Sequence, residues 1–276
     1  MTAAGGGYFR DLATLTTASL AQLVRAPSHS RRSIAAQRLA RHWILLLAGC
    51  GIAIIVLMLA VDVPTISLMP ARGTPSLWPV RFVTNFGDSD RVLWTVGGLL
   101  LIVVIVTPML RGARRLSFAA LEIRIAFIFL AVAVPNVAGE VLKGVIGRGR
   151  PFVGGAANAF YYSPFTWEGR FASLPSAHAI TACALAFAVA AVWPRTRYVM
   201  AVYALLILLS RLVLLAHHPS DLVAGGLVGV IGAMFVRQWF AARRLGFAIH
   251  GDGRIVALPG PSLASLKGVA VRPPAS

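Results

Sequence analysis

The stretch Val92–Leu110 reads VLWTVGGLLLIVVIVTPML and contains no charged side chain. At about 1.5 Å of rise per residue, a helix of this length covers the roughly 30 Å hydrocarbon core of a bilayer. A backbone in lipid must satisfy its own hydrogen bonds, so a run of this kind is helical. The stretch therefore predicts a membrane-spanning helix.

Five further apolar runs of similar length predict an all-α fold, a bundle of six transmembrane helices in an integral membrane protein. They are Trp43–Val61, Ile123–Leu142, Ala177–Trp193, Tyr198–Ala216 and Leu222–Phe240. Pro108 and Pro135 lie within two of the six runs and predict kinks, which membrane helices tolerate. The spacing Gly225-x-x-x-Gly229 in the last run predicts the close approach of a neighbouring helix.

The composition agrees with a membrane domain. Of 276 residues, 58% are hydrophobic and 13% are charged, against about 25% charged in average globular chains. Such a chain is neither an ordinary soluble domain nor disordered. We expect a tail at 1–42, a membrane domain at 43–240 and a second tail at 241–276. Because Cys50 and Cys183 lie in apolar runs, we expect neither a disulfide nor a cysteine metal site.

The formal net charge of +17 comes mostly from arginines at the ends of the apolar runs. The arginine groups lie at alternate ends of successive runs. Because successive helices cross the membrane in opposite directions, all these groups fall on one face, which the positive-inside rule makes cytoplasmic. This pattern indicates membrane orientation rather than nucleic-acid binding. We expect a bacterial inner-membrane protein with both termini in the cytoplasm. The loops 62–91, 143–176 and 217–221 then face the periplasm.

Three polar segments lie at the predicted outer ends of the helices. They are Lys143–Pro151 (KGVIGRGRP), Pro175–His178 (PSAH) and Ser210–Asp221 (SRLVLLAHHPSD). Polar groups beside membrane helices are costly and need a reason. Cations from the first and third segments would converge on an anion, because arginine offers planar bidentate donors that suit phosphate oxygens. The candidate cations are Lys143, Arg150 and Arg211.

The second and third segments supply the reactive groups. Ser176 precedes a predicted helix, so the N–H groups of Ala177 and His178 would point at an anion. Asp221 can hydrogen-bond one imidazole nitrogen of His217 and leave the other free as a nucleophile. His178 then remains to protonate the departing oxygen. The set is typical of phosphoryl transfer, in which positioning and charge stabilisation carry most of the catalysis.

These segments resemble the type 2 phosphatidic acid phosphatase superfamily, whose pattern is K-x6-R-P, P-S-G-H and S-R-x5-H-x3-D. Ten of the eleven signature positions agree in order. Ala177 replaces the usual glycine; we expect activity to survive this smallest of changes, with a tighter pocket. The resemblance implies a metal-independent and cofactor-free phosphatase that works through a phosphohistidine.

By the same resemblance, each motif residue takes a role. His217 attacks phosphorus, Asp221 supports it, and His178 is the acid for the leaving group. The phosphate is held by Lys143, Arg150, Ser176 and Arg211.

The motifs predict a phosphate site but do not identify the molecule that carries the phosphate. The expected partners are membrane lipids and a lipid phosphomonoester or diphosphate: undecaprenyl diphosphate, phosphatidylglycerol phosphate, phosphatidate or a lipid A phosphate. A phosphotransferase, which passes the phosphoryl group to a second lipid, is an alternative with the same histidine. A non-catalytic lipid transporter that kept the fold is another.

Four polar residues near the motifs have open roles. His218 is expected to face water or to contact a lipid headgroup. Glu140, one turn before Lys143, is either its partner on the helix surface or a proton relay. Asp88 and Asp90 are typical of turns and helix caps, and a lid over the substrate is the alternative interpretation.

Overall fold

The structure is a computed structural model and describes residues 4–259. Its helices are α1 Ala4–Val24, α2 Arg32–Val56, α3 Asp62–Leu68, α4 Trp78–Thr84, α5 Ser89–Val106, α6 Gly112–Ile146, α7 Ala177–Val192, α8 Arg197–Val213 and α9 Pro219–Ala242. A π-helical turn, Leu57–Val61, joins α2 to α3. The strands β1 Phe247–Ile249 and β2 Ile255–Ala257 form an antiparallel hairpin. The all-α prediction is confirmed.

Five segments of the described chain are long and apolar enough to cross a membrane. They are Arg32–Leu68, Ser89–Met109, Gly112–Ile146, Pro194–Val213 and Pro219–Ala242. Helix α7 is also apolar but has 16 residues, or about 24 Å of helix. The count of six spans therefore stays a prediction, since α7, the fourth predicted run, is shorter than the roughly 30 Å hydrocarbon core.

Helix α7 is packed by its neighbours rather than exposed. Ala179, Ile180 and Ala182 have no exposed surface. A Cβ atom added at Gly229 of α9 would lie 2.4 Å from the carbonyl oxygen of Ile180, and one at Gly225 would lie 2.5 Å from that of Ser176. The predicted close approach at these two glycines is confirmed, and α7 is the helix that approaches.

The two prolines in the apolar runs behave differently. Helix α5 ends at Val106, and Pro108 lies in the 3₁₀ turn Thr107–Met109. The predicted kink at Pro108 is wrong, because the α-helix has ended before the missing N–H would matter. Pro135 lies inside α6, as predicted.

The chain forms two compact units. Among the described residues, the first comprises 4–36, Thr95–Phe129 and 237–259. In it the Phe127 ring packs edge-on against Phe240 and Phe247, at centroid distances of 5.4 and 4.8 Å.

Both predicted tails are structured where they are described. Helix α1 occupies half of the N-terminal one, and the hairpin lies in the C-terminal one, for which no pattern was predicted. Residues 1–3 and 260–276 of these tails lie outside the described residues.

The second unit lies within Gln37–Trp94 and Leu130–Val236 and contains all three polar segments. Each segment falls at a helix end: the last turn of α6, the first turn of α7, and the connection from α8 to α9. Because these ends meet within one unit, the polar groups share a site instead of being spread along the spans.

Candidate active site

The first polar segment leaves α6 through a glycine turn. Lys143 lies in the last turn of the helix, and Gly147 follows with φ +60°, a conformation that favours glycine. A Cβ atom there would lie 1.9 Å from the carbonyl oxygen of Ser163. Lys143 Nζ is 2.5 Å from Oε1 of Glu140, so the predicted partnership of these two residues is confirmed. Arg150, beyond the turn, donates from Nε to the Gly169 carbonyl at 2.9 Å.

The second polar segment begins α7. Ser176 is the N-cap residue and the helix starts at Ala177, as predicted. The Ser176 N–H donates to the Asp221 carbonyl at 3.2 Å, which joins the second segment to the third. Ser176 Oγ is buried and has no hydrogen-bond partner among the described residues. A buried hydroxyl beside the free N–H groups of a helix N-terminus is suited to an anion.

Arg211 enters the site from the last turn of α8. Its Nη1 donates to the Thr84 hydroxyl at 3.1 Å. Its Nε is buried and unpaired within the described part of the chain. A buried donor without an acceptor is costly, so the Arg211 Nε, like the Ser176 hydroxyl, has no partner among the described residues and is available to an anion.

His217 lies just before α9 with 3% of its surface exposed. Its Nδ1 is 2.9 Å from the carbonyl oxygen of Ser173. A carbonyl only accepts, so Nδ1 carries the proton and Nε2 keeps its lone pair. Asp221 Oδ2 is 3.9 Å from Nδ1. The predicted Asp221–His217 hydrogen bond is therefore wrong, because the Ser173 carbonyl occupies that position.

Asp221 is instead the centre of a buried network. Its Oδ2 accepts from the Ser173 hydroxyl at 2.6 Å and from the His218 N–H at 2.8 Å. Its Oδ1 accepts from Nη1 of Arg148 at 2.6 Å. Asp221 thus supports His217 through Ser173, the residue whose carbonyl holds the imidazole.

Arg148 connects Asp221 to a second buried carboxylate. Its Nη2 is 2.8 Å from Oδ2 of Asp62, and all three side chains are fully buried. Asp62 also accepts from the Ser220 N–H at 3.0 Å. Asp62 directly follows the π-helical turn, so it ties the end of the first span to the start of α9.

His218 does not face water or a headgroup. It is fully buried, and its Nδ1 is 3.1 Å from Oδ2 of Asp221. Both sequence-based interpretations of His218 are wrong, because the turn into α9 directs the side chain into the Asp221 network.

His178 lies one residue into α7, with Nε2 4.0 Å from Oδ2 of Asp88. Asp88 Oδ1 accepts from the Arg91 N–H at 3.1 Å at the start of α5, so its predicted role as a helix cap is confirmed. The structure adds a second neighbour that the sequence does not indicate, the imidazole of His178.

The predicted site residues come together. His178 lies within electrostatic range of Arg211, Lys143 and Arg150. His217 interacts in the same way with Arg211, Arg150 and His178. Ala177 lies between Ser176 and His178 at the start of α7. Cations, hydroxyl and both imidazoles therefore lie close together in the second unit and form one candidate site.

Burial sets the protonation of the nucleophile candidate. It lowers the pKa of His217 well below its usual range; Asp221 opposes this shift, and the nearby Arg211 and Arg150 reinforce it. Burial, followed by the repulsion of Arg72, also lowers the pKa of Arg150. His217 is consequently neutral at neutral pH, the form in which Nε2 can attack phosphorus.

Sequence reasoning missed three residues of the site, Asp62, Arg148 and Ser173, and the second role of Asp88. Asp62 carried a signal, since a carboxylate between apolar residues needs a partner. Arg148 lay inside the first motif but at an unassigned position. Ser173 acts partly through its main chain, which no side-chain pattern reveals.

The region of the chain that contains these residues is similar to known proteins. The PAP2 superfamily matches residues 124–245, which include all three polar segments. A lipid A 1-phosphatase of Rhizobium johnstonii is 31% identical over 206 residues, covering 73% of this chain and 82% of that protein. The chain belongs to the PAP2 superfamily. A lipid A 1-phosphatase of Rhizobium etli is 31% identical over 128 residues, covering 46% of this chain and 55% of that protein. No solved structure matches the chain.

Membership of the PAP2 superfamily confirms the resemblance that the three motifs carry. Ten signature residues and Ala177 occupy the matched region. The pocket described above is consequently the candidate active site.

Proposed function

We propose that this chain is a membrane lipid phosphatase that hydrolyses a lipid phosphomonoester, and that lipid A 1-phosphate is its substrate. The observation that carries the proposal is the pair of buried, unpartnered donors, Ser176 Oγ and Arg211 Nε, in the pocket of a neutral His217. The pocket has the donors that a phosphate group needs. The names of the two Rhizobium relatives favour lipid A over the other lipid phosphates.

In the first step of the proposed reaction, Nε2 of His217 attacks phosphorus. The P–O bond to the lipid breaks, and His178 gives a proton to the leaving oxygen. The oxygens of the transferring phosphoryl group are held by Arg211, Ser176 and the first-turn N–H groups of α7. Such fixed donors stabilise the charge that develops in the transition state.

In the second step, water attacks the phosphohistidine. His178, now neutral, accepts a proton from the water, the N–P bond breaks, and inorganic phosphate leaves. Both histidines return to their starting states. The Ser173 carbonyl keeps the His217 ring oriented throughout, because its bond to Nδ1 does not involve the reacting nitrogen.

The proposed site faces the periplasm. Along the sequence, arginine-rich connections alternate with those that contain the site residues, and the positive-inside rule places the arginine-rich ones in the cytoplasm. They include Arg111, Arg114, Arg115, Arg195, Arg197, Arg243 and Arg244. The site residues lie at the other helix ends, within reach of a substrate anchored in the outer leaflet of the inner membrane.

A substrate panel tests the proposal. Purified chain is given lipid A 1-phosphate, phosphatidate, phosphatidylglycerol phosphate and undecaprenyl diphosphate in detergent with excess chelator, and inorganic phosphate is measured. We expect the fastest release from lipid A 1-phosphate, without a divalent ion, since side-chain cations meet the phosphate charge. Loss of the lipid phosphate only when an acceptor lipid is added, with the phosphoryl group recovered on that acceptor and no inorganic phosphate released, would indicate a phosphotransferase instead. No release from any lipid would favour the non-catalytic alternative.

The lowered pKa of His217 predicts the position of the acidic limb of the pH–rate profile. A lowered pKa keeps the imidazole neutral to a lower pH, so kcat/KM should hold as pH falls past the ordinary histidine value of 6.5. The second ionisation of a phosphomonoester lies near pH 6, and titration of the free lipid phosphate separates that effect. After this correction, a limb centred above 6.5 would contradict the assignment.

Replacing Arg211 with lysine should cost about tenfold to a hundredfold in kcat/KM, because a point charge cannot reproduce a planar pair of donors. The Arg211→Lys variant keeps the positive charge, so the loss reports geometry alone. Arg195→Lys, at the opposite end of the same segment and exposed, is the matched control and should be unchanged. A near-normal rate for Arg211→Lys would show that this guanidinium does not hold the phosphate.

A further inference from the structure

The segment before α5 is fixed against α8, close to the candidate active site. The Tyr203 hydroxyl donates to the Phe86 carbonyl at 2.8 Å. A Cβ atom at Gly87 would lie 2.3 Å from Cγ2 of Ile207, so the main chain is in close contact with the helix. Thr84 accepts the Arg211 hydrogen bond. Asp88 directly follows Gly87 in this segment. It is consequently held in place before any substrate binds.

The surroundings of His178 oppose the charge that its proposed role needs. A general acid must carry a proton, yet the imidazole lies among Arg211, Lys143 and Arg150, with His217 also nearby. Burial of the ring disfavours an imidazolium most strongly, and the three cations add to that effect. Asp88 is the carboxylate that acts on His178 in the described structure, with Oδ2 4.0 Å from Nε2.

We propose that Asp88 is a positioning residue that orients His178 and favours its protonated form as the acid for the leaving group. This inference rests on the proposed function. An imidazolium has two N–H groups. Nε2 faces Asp88, so Nδ1 gives its proton to the leaving oxygen as the P–O bond breaks, and His178 becomes neutral. Asp88 itself neither gains nor loses a proton.

The substitution Asp88→Asn isolates the charge. Asparagine caps helices about as well as aspartate, so the hydrogen bond from the Arg91 N–H and the start of α5 are preserved. Asp90→Asn is the matched control: Asp90 is exposed, lies two residues away and has no described contact with the pocket. We expect this control to keep the wild-type rate on every substrate.

The measurement is how the loss of kcat depends on the leaving group of the substrate. Octyl phosphate releases an alkoxide that needs a proton, whereas p-nitrophenyl phosphate releases a stable phenolate that does not. Because general acid catalysis contributes about 10²–10⁴-fold, Asp88→Asn should lose about tenfold to a hundredfold in kcat on octyl phosphate. The loss on p-nitrophenyl phosphate should stay within about threefold.

A double-mutant cycle shows whether Asp88 acts through His178. In a His178→Asn background the Asp88→Asn change should have no further effect on octyl phosphate, because coupled residues are not additive. Equal losses on both substrates would assign Asp88 to the electrostatics of Arg211 and overturn the inference. An unchanged rate on octyl phosphate would overturn it as well.

The outcomes also separate this inference from the function on which it rests. A wild-type chain that releases phosphate from no lipid and from neither probe would reject the proposed function, and the role of Asp88 with it. If the wild type is active and Asp88→Asn loses equal activity on both probes, the role of Asp88 alone would be rejected.

Discussion

Replacing His217 with asparagine should lower phosphate release by at least about a thousandfold, because removing a nucleophile leaves only binding and charge stabilisation. The amide of the introduced asparagine would still donate to the Ser173 carbonyl, which accepts from Nδ1 of the imidazole in the native chain. Folding should therefore survive. The measurement is released phosphate, with a thermal unfolding curve to show that the variant is intact.

Acid-sensitive protein-bound phosphate provides the direct test of the same prediction. Wild-type chain quenched during turnover of a radiolabelled lipid phosphate should carry label that is lost in acid, and His217→Asn should carry none. His250→Asn, in the exposed turn of the hairpin, is the matched control and should label normally. Near-normal turnover by His217→Asn would remove the central step of the mechanism.

His218 is the rival nucleophile that the geometry raises. It has an aspartate on Nδ1, and its Nε2 is buried without a partner in the described structure. His217, however, is the imidazole that interacts with Arg211, Arg150 and His178, the groups that would hold and protonate the substrate. Label that persists in His217→Asn and disappears in His218→Asn would reverse the assignment.

The spans and the pocket were predictable from the sequence for different reasons. Long apolar runs must be helical in lipid, so hydropathy alone located the helices. The polar segments lie at the ends of those runs. Because successive helices alternate in direction, these ends fall on one side of the membrane, so the sequence predicted that the three segments would lie close together. The run Ala177–Trp193 was already short in the sequence, but hydropathy could not show that it packs against α9, because burial against a helix and exposure to lipid both require apolar residues.

The partners of individual polar groups were not predictable. The hydrogen bond to His217 comes from a main-chain carbonyl 44 residues away, and main-chain oxygens leave no mark in a sequence. Asp62 and Arg148 each indicated a need for a partner, but a separation of 86 residues hides their pairing. The hairpin could have been found, since Gly251-Asp252-Gly253 between short apolar runs is a turn signature.

The substitution Arg148→Gln should destabilise the chain by about 3–5 kcal/mol, because it leaves Asp62 and Asp221 buried without their shared cation. Both ion pairs are completely buried, at 2.8 and 2.6 Å. For a chain of this size, such a loss lowers Tm by about 10 °C. Phosphatase activity should fall in the fraction that remains folded, since Asp221 and Ser173 would no longer hold His217 in place.

Arg170→Gln is the matched control for that experiment. Arg170 pairs with Glu168 in the loop that contains Arg148, but both side chains are more than half exposed. Exposed pairs contribute little, so Tm should shift by the equivalent of less than about 0.5 kcal/mol. Unfolding curves in detergent measure both variants side by side. An unchanged Tm for Arg148→Gln would mean that water or protonation compensates the two carboxylates, and that Arg148 does not support the nucleophile through them.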